Sequence, residues 1–360
     1  MAKELKLMKG NEAIARAMIA SGTDGYFGYP ITPQSEVMET LMAEKPWETT
    51  GMVVLQAESE VASINMVYGG AATGKKVATS SSSPGISLMQ EGLTYLAGAE
   101  IPCLIVNVMR GGPGLGTIQP SQSDYFQSVK GGGHGDYHLI VLTPSSVQEM
   151  ADLTSLAFDL ADKYRCPAML LADGTMGQMM EPVALPEPHR SVIEKPWAVT
   201  GTQMKREHNV INSLYLSPEV LEKTNFERFE RYAQIEKDEV RYESYLMDDA
   251  EYCIVAFGIA ARVAKNAITA MRKDGLKVGL IRPITVWPFP KKVIREAADK
   301  VKGFVCVELS MGQMIEDVRL AQECIRPVVL CNRAGGMIPG VDQIVSVTRD
   351  LIGSVEGGER

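Results

Sequence analysis

From Asn11 to about Ala172, short β-rich apolar runs alternate with segments whose apolar residues recur at helical spacing. This alternation constrains the fold more than any other feature of the chain. Parallel strands need long crossovers, and helices provide them, so the pattern specifies a doubly wound parallel sheet with helices on both faces. Strands are expected at residues 25–29, 52–56, 76–80, 103–109, 139–142 and 168–172. Helices are expected at 12–21, 34–42, 60–72, 86–97, 121–129 and 145–163.

At residue 181 the pattern stops. Pro182, Pro186, Pro188 and Pro196 punctuate a stretch that reads as linker. Residues 218–245 are densely charged, with Leu221, Phe226, Phe229, Tyr232 and Ile235 interleaved, as in an exposed helix lying on another surface. Alternation resumes at Tyr252, with strands expected at 253–257, 278–281, 304–308 and 328–331. The matching helices fall at 260–274, 291–302, 315–321 and 341–351. The expected organisation is an α/β domain over 1–180, a linker and charged helix over 181–250, and a second α/β domain over 251–360.

Composition bounds the function classes. With 45% apolar and 22% charged residues, the 360-residue chain is of ordinary globular type. A net charge of −8 and a pI near 5.3 argue against a nucleic-acid or anionic-membrane surface. The segment from Met1 to Lys9 has neither the apolar core nor the cleavage site of a signal peptide. No apolar run approaches the roughly 18 residues of a membrane helix, so a cytoplasmic location is expected. The six cysteines form no CxxC and sit mostly in apolar runs, as buried thiols do in a reducing compartment. They match no iron–sulfur spacing.

In an open α/β sheet, ligands sit outside the carboxyl ends of the strands. After the first expected strand comes Gly28-Tyr29-Pro30-Ile31-Thr32-Pro33, stiffened by its prolines and leading into a helix whose free N–H groups suit an anion. A plain helix entry, with Thr32 or Ser35 as cap, explains the same residues. Glu60 opens a helix after the second strand, where the helix dipole alone favours a carboxylate, and Glu58 competes for any role it has. That helix is rich in small residues, Ala62 and Gly69 to Ala72, which admit a second backbone closely. Arg110 ends an apolar run, placed to hold a carboxylate bidentately or to form a structural ion pair.

Several other segments carry weaker signals. The glycines from Gly111 to Gly116 do not form the dinucleotide GxGxxG and, with Pro113, make a poor phosphate cradle; they read as a loop over a site. Thr79 to Gly85 is rich in hydroxyls, which serve a ligand or merely a turn. His134, His138, His189 and His208 form no HxH, HExxH or Cys/His cluster, so no zinc site is expected in this chain. His134, within GGGHGD, reads as a loop residue.

Taken in order, GYPITP, the Glu60 helix running into GGAATG, the serine loop and NVMR ending at Arg110 resemble the alpha subunit of 2-oxoacid:ferredoxin oxidoreductases. The resemblance covers nearly the whole chain, including VELSMGQMIE at 307–316. QPSQSDYF at 119–126 and the following GGGHGDYH resemble the 2-oxoisovalerate type, which acts on the branched-chain acid 3-methyl-2-oxobutanoate. The resemblance implies that the first domain is the pyrimidine-binding half of a thiamine diphosphate site and that the last is like the transketolase C-terminal domain. It gives Glu60 the catalytic contact to the aminopyrimidine N1′, on the strength of its spacing to Gly74. It sets Pro30 and Ile31 against the same cofactor, and Thr32 and Arg110 on the substrate. The implied reaction is oxidative decarboxylation of a branched-chain 2-oxo acid to acyl-CoA and CO2, with coenzyme A as co-substrate and electrons passed to ferredoxin.

The other half of such a site needs a GDG motif with a later Asn to hold Mg2+ through oxygen ligands. Ala172-Asp173-Gly174 lacks the first glycine and reads as a strand end. The resemblance therefore implies a beta subunit carrying the diphosphate and Mg2+ site, with iron–sulfur clusters on a ferredoxin-like subunit or a gamma subunit. This chain alone would be inactive. The same reaction on 2-oxoglutarate is an alternative, but a second carboxylate needs another cation, and no Lys or Arg lies between Arg110 and Lys130. Met66, Leu115 and Phe126 are candidates for an apolar pocket instead. A non-catalytic scaffold subunit is a further alternative, and a nicotinamide dehydrogenase would need the missing GxGxxG. Glu308, another strand-end carboxylate, is expected to pack at an interface in a mainly architectural domain.

Overall fold

The computed structural model of the protein describes residues 4–188 and 193–357, so His189 lies outside the described residues. The first strands are β1 (Lys6–Lys9), β2 (Gly25–Gly28), β3 (Val53–Gln56), β4 (Val77–Ser81), β5 (Leu104–Met109), β6 (Ile140–Leu142), β7 (Ala168–Asp173) and β8 (Met180–Val183). β1 and β8 pair with each other, antiparallel. The other six lie parallel in the order β6-β7-β5-β4-β2-β3. Every residue of the central strands β5 (LIVNVM) and β7 (AMLLAD) is buried, because helices cover both faces.

Those helices are α1 (Gly10–Ala20), α2 (Ser35–Glu44), α3 (Pro46–Thr49), α4 (Glu60–Ala72), α5 (Ser83–Gly98), α6 (Val147–Tyr164) and α7 (Gly174–Gln178). The chain runs from β2 outward to β3, then returns to place β4 on the other side of β2. Connections leaving β2 and β4 therefore diverge. The crevice between them is where a doubly wound sheet takes a ligand.

The remaining elements are α8 (Pro218–Asp238), β9 (Tyr242–Tyr245), β10 (Tyr252–Ala256), α9 (Gly258–Lys273), β11 (Val278–Pro283), β12 (Thr285–Trp287), α10 (Lys291–Ala298), β13 (Gly303–Glu308), α11 (Met314–Ala321), β14 (Val328–Asn332) and α12 (Val341–Gly357). A second sheet has the order β14-β13-β10-β11-β9, parallel except for β9. β12 leaves it and pairs antiparallel with β6, so the second unit completes the first sheet. Arg282, almost wholly buried, ties the halves together: its two Nη atoms donate to Glu149 at 3.0 and 2.7 Å, and its Nε to Glu243 at 2.7 Å. Among the described residues, no helix is long and apolar enough to cross a membrane.

Three expectations need correction. The charged helix expected over 218–245 stops at Asp238. The buried Glu239 ends it, accepting from Lys163, Tyr164 and Arg241, each at 2.7 Å, and the chain then forms β9. Of the helix expected over 121–129 only a short turn forms, from Tyr125 into the π turn Gln127–Gly131. The backbone N–H groups of Gln122 and Phe126 donate instead to Leu309 O and Gln313 Oε1 of the second unit, at 2.9 and 2.8 Å. A helix cannot propagate through donors spent elsewhere. Glu308 is buried within its own unit, where it caps α11 by accepting from the Gln313, Met314 and Ile315 amides.

Candidate active site

Because β2, β3, β4, β5 and β7 run parallel, their carboxyl ends open on one edge. The loop after β2 is anchored through Pro33, whose carbonyl accepts from Asn11 Nδ2 at 2.8 Å and Gln178 Nε2 at 3.2 Å. The same two amides donate to Glu36, at 2.9 and 2.7 Å, and Lys9 joins them at 3.3 Å. Burial works to raise the Glu36 carboxyl, but the hydrogen bonds from Gln178, Asn11 and Lys9 outweigh it and hold the group below its ordinary range. The N-cap of α2 is Gln34, whose side chain bonds to Tyr29 O and Ser80 Oγ rather than to the helix, so neither Thr32 nor Ser35 is used as a cap. Thr32 stands exposed on the wall of a cleft of about 690 Å3, with Ile118, Gln119 and Thr175 around it. Pro30 is exposed beside it and Ile31 half-buried.

Arg110 follows β5 and reaches this loop. Its Nη1 donates to the Thr32 carbonyl at 3.0 Å and its Nη2 to the Leu115 carbonyl at 3.1 Å. Among the described residues its Nε is buried without a hydrogen-bond partner and Arg110 has no ion pair. The structure thus joins Thr32 and Arg110 and leaves the guanidinium without an anion. The glycine loop is closed on itself: Gly111 N donates to Gln119 O at 2.9 Å, and Thr117 N to Gly111 O at 2.8 Å. Gly116, at φ +55°, is required here, since a Cβ would collide with the Gly111 carbonyl.

Glu60 is the first residue of α4, but Ser59 is the cap, accepting from Ala62 N at 3.2 Å. Glu60 is 6% exposed, and no hydrogen bond reaches its carboxylate from the described residues. Glu58, by contrast, is exposed and accepts from Ser59 Oγ at 3.4 Å. Glu60 lies over the first turn of α5: a Cβ on Gly85 would fall 2.7 Å from Glu60 Oε1 and would collide with Ser81 Oγ. Among the described residues, the buried Ser81 and Ser82 hydroxyls have no partner either. A buried carboxylate without donors is costly, so this corner calls for a ligand from outside the chain.

Beside it lies an uncovered apolar face. Apart from Glu60, Ser63 and Asn65, α4 is built of apolar and small residues on all sides, and a mostly apolar helix is normally buried. Yet Val61, Met66 and Gly69 point outward, and Leu88 and Tyr95 continue the exposed face along α5. Val53 and Leu55 of the edge strand β3 are exposed as well.

Other candidates are accounted for elsewhere. His134 is exposed and lines a separate groove with Tyr137 and Arg228. His138 stacks on Trp287 at 4.6 Å between ring centroids, and burial lowers its pKa. Asp173 caps α7, accepting from Thr175 N at 2.9 Å and Met176 N at 3.0 Å, while its other oxygen accepts from Ile259 N at 3.4 Å. Burial pushes it up to about 6 against those amides. Met66 and Leu115 are exposed, whereas Phe126 packs against Tyr125. Sequence reasoning did not single out Gly85, Ser83 or Asp124; the serine-rich TSSSSPG and the QPSQSDYF segments were the signals that contained them.

Known proteins fit this arrangement. Residues 16–244 match the family model described as pyruvate flavodoxin/ferredoxin oxidoreductase, thiamine diphosphate-binding, and residues 250–344 match pyruvate:ferredoxin oxidoreductase core domain II. Ketoisovalerate oxidoreductase subunit VorB of Methanothermobacter marburgensis is 51% identical, covering 97% of this chain and 98% of its own. 2-Oxoglutarate synthase subunit KorA of Methanocaldococcus jannaschii is 35% identical over 92% of this chain and 96% of its own. Among solved structures, the 2-oxoglutarate:ferredoxin oxidoreductase of Magnetococcus marinus, with 2-oxoglutarate, coenzyme A and succinyl-CoA bound, superposes with a TM-score of 0.87 at 27% identity. That match covers 97% of this chain and 66% of the solved one. A split-gene transketolase shares the fold at a TM-score of 0.61 and 12% identity, covering 98% of this chain and 99% of its own.

Proposed function

The chain belongs to the 2-oxoacid:ferredoxin oxidoreductase family, and from that premise we propose that it holds the pyrimidine half of thiamine diphosphate in an enzyme that oxidatively decarboxylates 2-oxoisovalerate to an acyl-CoA. Glu60 is the observation that carries the proposal: a buried carboxylate with no donor of its own, at the mouth of the crevice. The residues fit the cofactor. Glu60 would supply the acceptor for the aminopyrimidine and Gly85 leaves room over the first turn of α5, with Pro30 and Ile31 of the loop after β2 assigned to the same cofactor. When bound, thiamine diphosphate supplies the nucleophilic carbon that amino-acid side chains lack.

The chain's own residues then have distinct tasks. Glu60 Oε1 would accept a proton or a hydrogen bond from the aminopyrimidine. Arg110 has an unpartnered Nε and an Nη2 held only by a loop carbonyl, so a substrate carboxylate can take both in a bidentate grip. The exposed Thr32 hydroxyl is free to donate to the oxo group. The side-chain preference follows from charge: no cation lies between Arg110 and Lys130, and Lys130 pairs with Asp317. The ketoisovalerate relatives support the branched acid.

Mg2+ and the diphosphate fall to a beta subunit, since the Asp173 oxygens of this chain are already engaged by backbone amides. Docked on the apolar face of α4 and α5, that subunit would close the site over Glu60. Iron–sulfur clusters, on further subunits, would carry electrons to ferredoxin. Coenzyme A-dependent reduction of a viologen dye by the anaerobically purified native complex tests the proposal, with 2-oxoisovalerate, 2-oxoglutarate and pyruvate compared. Preference for the branched acid is expected. Preference for 2-oxoglutarate overturns the substrate, and inactivity with all three in a complex containing thiamine diphosphate overturns the reaction.

A further inference from the structure

Asp124 is a largely buried carboxylate on the segment that was expected to be helical. Its Oδ2 accepts from Ser83 Oγ at 2.6 Å and from Asn107 Nδ2 at 3.0 Å, and no cation pairs with it among the described residues. Burial raises its pKa against those two hydrogen bonds. Ser83 is the first residue of α5, and its oxygen accepts from the Arg110 backbone N–H at 3.0 Å. The Arg110 carbonyl lies 3.2 Å from the same hydroxyl, but the single proton goes to the nearer and charged acceptor. Asn107 lies on β5, three residues before Arg110, which follows that strand. Asp124 therefore grips the end of β5 at two points, one of them the residue that bears the guanidinium.

The segment carrying Asp124 is itself held by the second domain. Gln122 N donates to Leu309 O at 2.9 Å, Leu309 N donates back to Gln122 Oε1 at 3.0 Å, and Gln122 Nε2 reaches Phe257 O at 2.9 Å. Gln313 bonds on both sides of Asp124, donating to Ser123 O at 2.7 Å and accepting from Phe126 N at 2.8 Å. Tyr125 OH donates to Asp317 at 2.7 Å. Asp124 and Ser83 line a cleft of about 430 Å3 between the two domains, facing Gln313 and the glycine loop. Helical hydrogen bonds were given up here in favour of bonds across the domain boundary.

We propose that Asp124, held in place by the second domain, is a positioning residue for Arg110 and acts through Ser83. The second domain then does more than support the fold: it sets where the substrate's carboxylate is gripped. The proposal rests on the substrate role of Arg110 given above.

Steady-state kinetics of the assembled complex with 2-oxoisovalerate test it, using Asp124→Ala, Ser83→Ala, the double variant and Asp124→Asn. Each alanine variant is expected to raise KM for the oxo acid by about five- to tenfold, the scale of one hydrogen bond. KM for coenzyme A and the bound thiamine diphosphate are expected to stay unchanged. The double variant is expected to be no worse than either single one, because both break one chain of bonds. Asp124→Asn is expected to restore most of the loss, since an amide oxygen in the Oδ2 position still accepts from both Ser83 and Asn107. Additive effects, an unchanged KM, or a parallel loss of cofactor overturn the relay. Should Asp124→Ala fail to assemble, Ser83→Ala alone decides. Arg110→Lys, measured in parallel, separates the two levels: an unchanged KM there overturns the substrate role itself, and the relay with it.

Discussion

Glu60 and Glu308 occupy comparable places in two parallel sheets. Each lies between a strand end and the start of a helix, and each is buried, at 6% and 0% exposure. Glu308 accepts from Ser310 Oγ at 2.5 Å and from the amides of Gln313, Met314 and Ile315 at 2.9 to 3.2 Å. Glu60 accepts from none of the described residues, and the nearby Ser81 hydroxyl is buried without a partner among them. A carboxylate whose hydrogen bonds are complete within the chain is a structural cap. One that is buried and incomplete waits for a ligand, because the desolvation cost is met only when that ligand arrives.

The widest separation between the two is expected in turnover. Glu60→Gln, assembled with its partners, should lower kcat by about 10^2- to 10^4-fold, the usual range for a lost acid–base group, with little change in stability. Full turnover in that complex would put Glu60 in the same class as Glu308. Arg110→Lys comes next. It keeps the charge but loses the planar fork, so kcat/KM for the oxo acid should fall by roughly 10- to 100-fold, as expected for a charge-assisted contact.

Glu308→Ala should show the opposite pattern. Its cost lies in unfolding, at roughly 1–3 kcal/mol for each amide left unpaired, with kcat per assembled enzyme changed by no more than a few-fold. Thermal melts alongside turnover check it, and a Glu308 variant that is stable but dead would erase the contrast. Asp173 gives the smallest effect. Its folded pKa, about 6, is above the ordinary 3.8, so the folded chain binds this proton more tightly than the unfolded one. The stability it contributes is full below about pH 4 and is lost as pH rises toward 6. Protection factors at Thr175, Met176 and Ile259, corrected for the intrinsic pH dependence of exchange, should therefore rise on acidification through that window, and a flat profile of protection would show that burial does not govern the group.

Much of the architecture was legible in the sequence because burial on both faces leaves a continuous apolar run. β5 and β7 declare themselves in that way, and α6 does so through its helical period. What failed were segments whose hydrogen bonds cross the molecule. Residues 121–129 carry helical spacing, yet Gln122 and Phe126 give their amides to the second domain. Residues 239–245 continue the charge pattern of α8, but Glu239 is captured by Lys163, Tyr164 and Arg241. At the site, Thr32, Glu60 and Arg110 were visible as polar residues at strand ends. Ser83 and Asp124 were not, because their partners lie 27 and 17 residues away along the chain.

The sequence by itself determined the alternation of strands and helices, the parallel sheets and the residue types gathered at their carboxyl ends. These follow from local periodicity and from the side chains themselves. Only the tertiary structure decided which of those residues are satisfied. Among the described residues it left Glu60 and the Arg110 Nε without partners, completed Glu308 and Asp173, and tied Arg110 to the second domain through Ser83 and Asp124. Satisfaction depends on donors brought in from distant segments, and no local pattern in a sequence records where those donors arrive.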